Sequence, residues 1–218
     1  MNKKSLHILC LVSALVIQQA DKSAAQYTPL KTKFEVEIVD KSFAYGPTDR
    51  VVPLRIYLPK TGTLNPVILF SHGLGGSRQA SPFLGKQWSE RGYCVVFMQH
   101  AGSDIDVMKN AARFQRLKSL KNAINSESFK DRIYDVRATI DQLEKLSLTR
   151  GQFCGRLDLD RLGMCGHSYG AITTQAVSGQ SYGLQGQAYT DSRIKAAIAL
   201  SPSMPSLGGT SKTFAMVK

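Results

Sequence analysis

The chain has 218 residues, of which 43% are hydrophobic and 20% charged, with a formal net charge of +12. That balance suits one packed domain and excludes a long polar or low-complexity polypeptide. A basic excess favours anionic surfaces or acidic substrates in principle. Here, however, the cations are dispersed, the densest stretch (Lys109 to Arg137) also carries acids and reads as a solvated helical face, and no nucleic-acid motif accompanies it, so nucleic acid is not an expected partner.

The first 25 residues differ from the rest. Lys3 and Lys4 precede a twelve-residue apolar run, Leu6 to Ile17, and Ser23-Ala24-Ala25 offers small residues for cleavage. This is the layout of a secretory signal peptide, and the run is short against the roughly 20 residues a membrane span needs. Cleavage would remove Lys3, Lys4, Lys22 and Asp21 and lower the charge from +12 to +10. The expected mature domain is 26–218, secreted or periplasmic, with no stable membrane span. Of the cysteines left, Cys94 and Cys165 sit in apolar strand-like runs and read as small core residues. Cys154 completes an odd set, so at least one thiol is expected to be free or paired outside the chain. No histidine stands at metal-ligand spacing from any of them, and no metal site is expected.

Residues 33–40 alternate apolar and polar, as a half-buried strand does, and 51–58 read as a second strand, at an edge because of Pro53. A turn at 45–49 joins them into an antiparallel hairpin. The pattern then becomes that of strands buried on both faces, Pro66–Phe70 and Tyr93–Met98, with a helix near 80–91 between them. The helical content of 105–127 is open. Ile133, Val136, Ile140, Leu143 and Leu146 mark one face of a helix. A short strand at Leu162–Cys165, a helix from Ala171 to Val177 and a buried strand at Ala196–Leu200 follow, and Phe214–Val217 opens another. Alternating strands and helices predict an α/β fold: a mostly parallel sheet with helices on both faces.

Two motifs carry chemistry. Gly166-His167-Ser168-Tyr169-Gly170 lies between a strand and a helix, the context of a nucleophile elbow, in which Gly166 and Gly170 leave room for neighbouring backbone and Ser168 presents its hydroxyl. Ser71-His72-Gly73-Leu74-Gly75-Gly76 follows the first buried parallel strand, where such enzymes place one oxyanion donor; the residue after the nucleophile gives the other. The expected donors are the backbone N–H groups of Leu74 and Tyr169. His72 and His167 read as loop anchors, because a catalytic histidine must approach the serine from a later loop. His100, at the end of a strand, is a residue for substrate contact at most. Asp104, Asp106 and Asp191 have no assigned role, and Asp158 and Asp160 shape the entry turn to the elbow strand.

The segments PVILFSHGLGGSR, RGYCVVFMQHAGSD, DRIYDVRATIDQL and DRLGMCGHSYGA occur in the order seen in α/β hydrolases, and over roughly 33–218 the chain resembles the dienelactone hydrolase and platelet-activating-factor acetylhydrolase group. The resemblance implies a serine hydrolase of carboxylic esters, acting on a small-molecule or lipid-like substrate without a cofactor. Ser168 is carried over as nucleophile, and Leu74 and Tyr169 as oxyanion donors. Strict dienelactone hydrolases use a cysteine, so Ser168 points to the acetylhydrolase-like, general esterase side. Members of the group place the triad acid and histidine after the sixth strand, and neither has a counterpart up to Lys218. The domain is therefore expected to be incomplete at its C-terminal edge and weakly active by itself. A non-catalytic remnant or binding protein, and a peptidase or thioesterase on the same fold, are the alternatives.

Overall fold

The computed structural model describes residues 33–202 and Val217. The leader expected at 1–25 lies outside the described residues, as does, Val217 apart, the strand expected at 214–217.

A hairpin opens the domain: β1, Val36–Tyr45, pairs antiparallel with β2, Arg50–Pro59. Then come β3, Asn65–Ser71; helix α1, Pro82–Ser89; β4, Cys94–Met98; a single turn α2, Asp106–Lys109; and α3, Arg116–Asn122. The long helix α4, Ser126–Leu148, leads to β5, Leu157–His167, then α5, Tyr169–Val177, and β6, Ile194–Leu200. The six strands form one sheet in the order β1-β2-β4-β3-β5-β6. β2 meets β4 antiparallel, while β4, β3, β5 and β6 run parallel to their neighbours. Parallel neighbours need crossover helices, which bring the carboxyl ends of β3, β4 and β5 to one edge.

Helices lie on both faces, as expected. Ile133, Val136, Ile140 and Leu143 of α4 and Ala176 and Val177 of α5 pack on one face with Leu54, Val67, Val96 and Met164. On the other, Leu84 and Trp88 of α1 cover Tyr57, Phe70, Val95 and Phe97. Helix α4 starts cleanly because Asn125 accepts from the Ser128 amide at 2.9 Å while Ser128 Oγ accepts from the Asn125 amide, a reciprocal cap.

The structure corrects three expectations. First, β2 is an interior strand. Pro53 is tolerated there because it sits at the end of the β2–β4 ladder, where its carbonyl accepts from Gln99 N at 2.9 Å and no donor is required of it. Second, the apolar strand β6 is largely exposed: Ile198 is 53% accessible, and a hollow of about 580 Å³ lies on the β3–β5–β6 face between Trp88, Tyr93, Met164 and Ile198. Among the described residues β6 has a neighbouring strand on one side alone, so its composition does not guarantee cover. Third, the basic stretch is not wholly solvated, because Arg132 and Asp135 of α4 are completely buried. Cys94 and Cys165 are core residues, and all three described cysteines are free thiols. Among the described residues no helix is long and apolar enough to cross a membrane.

Candidate active site

The elbow is built by the collision of three pieces of backbone. β5 begins at Leu157, earlier than its apolar run, and bulges. Pro66 aligns with Asp158 but Val67 with Leu162, and Asp158 steadies the bulge by accepting from Arg161 N (3.2 Å) and Nε (2.6 Å). The strand then runs to His167 and turns directly into α5. At the turn Ser168 adopts φ 53° and ψ −113°, strained ground for a residue with a Cβ. Its amide donates to Leu200 O of β6 at 2.9 Å, and its carbonyl accepts from Ala171 N at 2.9 Å. A Cβ on Gly166 would overlap the Gly170 carbonyl, and one on Gly170 would overlap the Ser71 carbonyl, so both glycines are required by close approach. Ser168 and His167 are exposed; Tyr169 and Gly170 are buried.

The loop after β3 lies against this turn. A Cβ on Gly73 would stand 3.5 Å from Ser168 Cβ and 3.4 Å from His167 O. Among the described residues neither the Leu74 nor the Tyr169 amide donates to any acceptor. Two unclaimed N–H groups therefore lie in segments that flank the Ser168 side chain, one of them in the first turn of α5, where the helix dipole favours negative charge.

A buried polar network holds the loop from beneath. The His72 ring is 1% accessible; its Nε2 accepts from His100 N at 3.1 Å, so Nδ1 carries the proton and donates to Gly73 O at 2.6 Å. Arg132 donates to His72 O at 2.7 Å and to Ser103 Oγ at 2.8 Å, and its guanidinium lies 4.3 Å from the Tyr169 ring centroid. The Tyr169 hydroxyl is tied to Ser128 Oγ at 2.8 Å. One side chain of α4 thus touches both segments that bear the free amides. Behind it, Asp135 Oδ2 lies 2.9 Å from His100 Nδ1, and His100 Nε2 lies 2.9 Å from Ser71 Oγ. Arg50 and Tyr45 also donate to Asp135.

Burial sets the protonation states. It pushes His100 down to about 4, with the Arg132 cation adding to the effect, and it drives His72 well below the ordinary histidine range, aided by His100 and Arg132. Both rings are neutral near pH 7, so His100 donates from Nδ1 to Asp135 and accepts the Ser71 hydroxyl proton at Nε2. Burial alone would raise Asp135, but the hydrogen bonds from His100 and Arg50 outweigh it and hold the carboxyl below its usual range. Desolvation lowers Arg132 to about 10, which leaves it charged.

Of the residues singled out in the sequence, Ser168, Gly166, Gly170, Leu74 and Tyr169 come together at the carboxyl edge of the sheet. His72 anchors its loop as expected. The His167 side chain is exposed beside Gly73 and makes no hydrogen bond among the described residues, so it does not anchor its loop as expected. His100 is fully buried, so it contacts no substrate. Asp191 pairs with Arg193 at 2.8 Å, and Asp104 accepts from Gln99 at 2.8 Å while its backbone bridges to Gly76. Arg132 and Asp135 escaped the sequence reading, although a signal existed: Arg132, Asp135, Val136 and Thr139 share the inward face of α4, and charged residues on such a face mark a buried network.

Known proteins resemble the chain in part of its sequence and in its fold. Residues 38–112 match the family described as platelet-activating factor acetylhydrolase, isoform II, which is about a third of the chain and includes the loop after β3 but not Ser168. No curated protein sequence matches. Among solved structures, a ferulic acid esterase from Streptomyces cinnamoneus superposes with a TM-score of 0.55 at 16% identity, over 84% of this chain and 64% of that one. The uncomplexed acylaminoacyl peptidase of Pyrococcus horikoshii gives a TM-score of 0.52 at 18% identity, over 78% of this chain and 23% of that one. The chain has an α/β-hydrolase fold. The chain spans less than two thirds of the esterase's length, and at such identities the likeness is one of fold.

Proposed function

We propose that this α/β hydrolase cleaves carboxylic esters through an acyl-enzyme on Ser168. The supporting observation is the strained, exposed Ser168 set between two unclaimed backbone amides at the carboxyl edge of the sheet. In this reading Ser168 Oγ attacks the ester carbonyl carbon, and its proton passes through a base to the departing alcohol. The Leu74 and Tyr169 amides hold the oxyanion, each such donor contributing roughly 3 kcal/mol in the transition state. Water then attacks the acyl-enzyme and releases the acid. No described histidine reaches Ser168: two are buried in the network beneath the loop, and His167 adjoins the nucleophile in the chain. The base and its acid are proposed to come from outside the described residues.

The partial match to the acetylhydrolase family supports small or lipid-like esters as substrates, and export by a leader at 1–25 is part of the same proposal. The test is p-nitrophenyl ester hydrolysis by the full-length protein and by Ser168→Ala. Loss of turnover by about a thousandfold or more is expected. Unchanged turnover in Ser168→Ala would refute the assignment.

A further inference from the structure

The twenty residues from Val107 to Ser126 contain Lys109, Arg113, Arg116, Lys118 and Lys121 and no acid. Lys109 pairs with Asp106 at 3.2 Å. The other four are exposed, and none is ion-paired among the described residues. The same segment exposes large apolar groups: Phe114 is 85% accessible, Leu117 75% and Ile124 56%. Phe114, Leu117, Lys121 and Ile124 recur at helical spacing along the outer side of α3 and the turns flanking it, while Ala123 (7%) and Leu120 face inward. Scattered exposed apolar residues are ordinary on any protein. Three in one row, ringed by unpaired cations, are not.

The segment is also fastened to the candidate active site. Gly75 N donates to Ser103 O at 2.9 Å, Ile105 N to Gly76 O at 2.8 Å, and the Leu120 and Met108 side chains pack on Gly75. Whatever the row settles on is therefore held beside the loop that carries Leu74.

We propose that residues 113–124 form an interfacial docking surface for anionic lipid, with Phe114, Leu117 and Ile124 entering the acyl boundary and Arg113, Arg116, Lys118 and Lys121 meeting headgroup phosphates. Charge complementarity selects this occupant. A neutral lipid surface would leave four cations unanswered, and a nucleic acid backbone would leave three large aliphatic or aromatic groups in water. An amphipathic, purely basic segment satisfies both halves at an anionic membrane surface. This inference stands apart from the reaction at Ser168, and its test does not use turnover.

Full-length protein is sedimented with equimolar phosphatidylcholine–phosphatidylglycerol vesicles and, separately, with phosphatidylcholine vesicles. Arg116→Gln/Lys118→Gln and Leu117→Ser are measured in parallel, with thermal midpoints confirming that these exposed substitutions leave folding intact. The parent is expected to favour the anionic vesicles by at least about tenfold. The double charge variant should lose about 25-fold of that affinity, roughly fivefold per cation, and the loss should vanish at high salt. Leu117→Ser should weaken binding severalfold at either salt. Equal binding by parent and variants would overturn the proposal, because another segment would then carry it. No binding by the parent would also overturn it and would assign the row to a protein contact.

Discussion

Ser71 and Ser168 each adjoin a histidine in the chain, and they have opposite properties. Ser71 is the first member of a chain with triad connectivity, Ser71 Oγ to His100 Nε2 and His100 Nδ1 to Asp135, each link 2.9 Å. Yet Ser71, His100 and Asp135 are each 0% accessible, and Ser71 lies in relaxed strand backbone. Ser168 has no described histidine partner, but it is exposed, strained and set beside free amides. Connectivity alone therefore does not make a site. Access, a backbone aimed at solvent and donors waiting for developing charge distinguish the candidate nucleophile, while the buried triad-like chain supports the floor of the site by fixing His72 and its loop.

The comparison breaks most readily at Asp135. Asp135→Ala removes a carboxylate that answers Tyr45, Arg50 and His100, and should cost about 3–5 kcal/mol, read as a lower denaturant midpoint. A loss below 1 kcal/mol would mean that the network is incidental.

The pH dependence of stability follows from the same groups. His100, held at about 4, and His72, well below its ordinary 6.5, resist protonation in the folded state. The unfolded chain accepts those protons near pH 6.5. Stability is therefore complete above pH 6.5 and falls as pH drops toward 4, by up to about 1.4 kcal/mol per unit for each ring. The depressed Asp135 acts lower, since its contribution is present above its unfolded value near 3.8 and is lost beneath it. Thermal midpoints measured from pH 7.5 to pH 4 should fall along this slope; a flat profile would contradict the neutral, buried assignment of both rings.

Smaller and opposite shifts are expected at the two serines. Ser168→Gly relieves a positive φ and should raise stability by about 1 kcal/mol, at the expense of any Ser168 chemistry. Ser71→Ala removes a buried hydrogen bond and should lower stability by about 1 kcal/mol.

What could be read from the sequence depended on local pattern. The hairpin, the buried strands and the apolar face of α4 follow from periodicity over contiguous residues. The elbow and the loop at 71–76 are short motifs whose glycine spacing is legible in the sequence, although what requires Gly170 is the Ser71 carbonyl, distant in the chain. The interior position of β2 was hidden because Pro53 can end a ladder as well as mark an edge, and only pairing distant in sequence distinguishes the two. The Arg132–His72–Tyr169 contacts span from about 40 to 60 residues of chain, so nothing local announces them beyond a charge on an inward helix face. The exposure of Phe114 and Leu117 depends on which face α3 turns toward the Gly75 loop, a tertiary fact.

The most direct measurement is to treat the full-length protein with a fluorophosphonate and locate the adduct by peptide mass spectrometry, alongside Ser168→Ala and Ser71→Ala. The adduct should fall on Ser168, disappear in Ser168→Ala and persist in Ser71→Ala. An adduct on Ser71, or labelling that survives Ser168→Ala, would contradict the account.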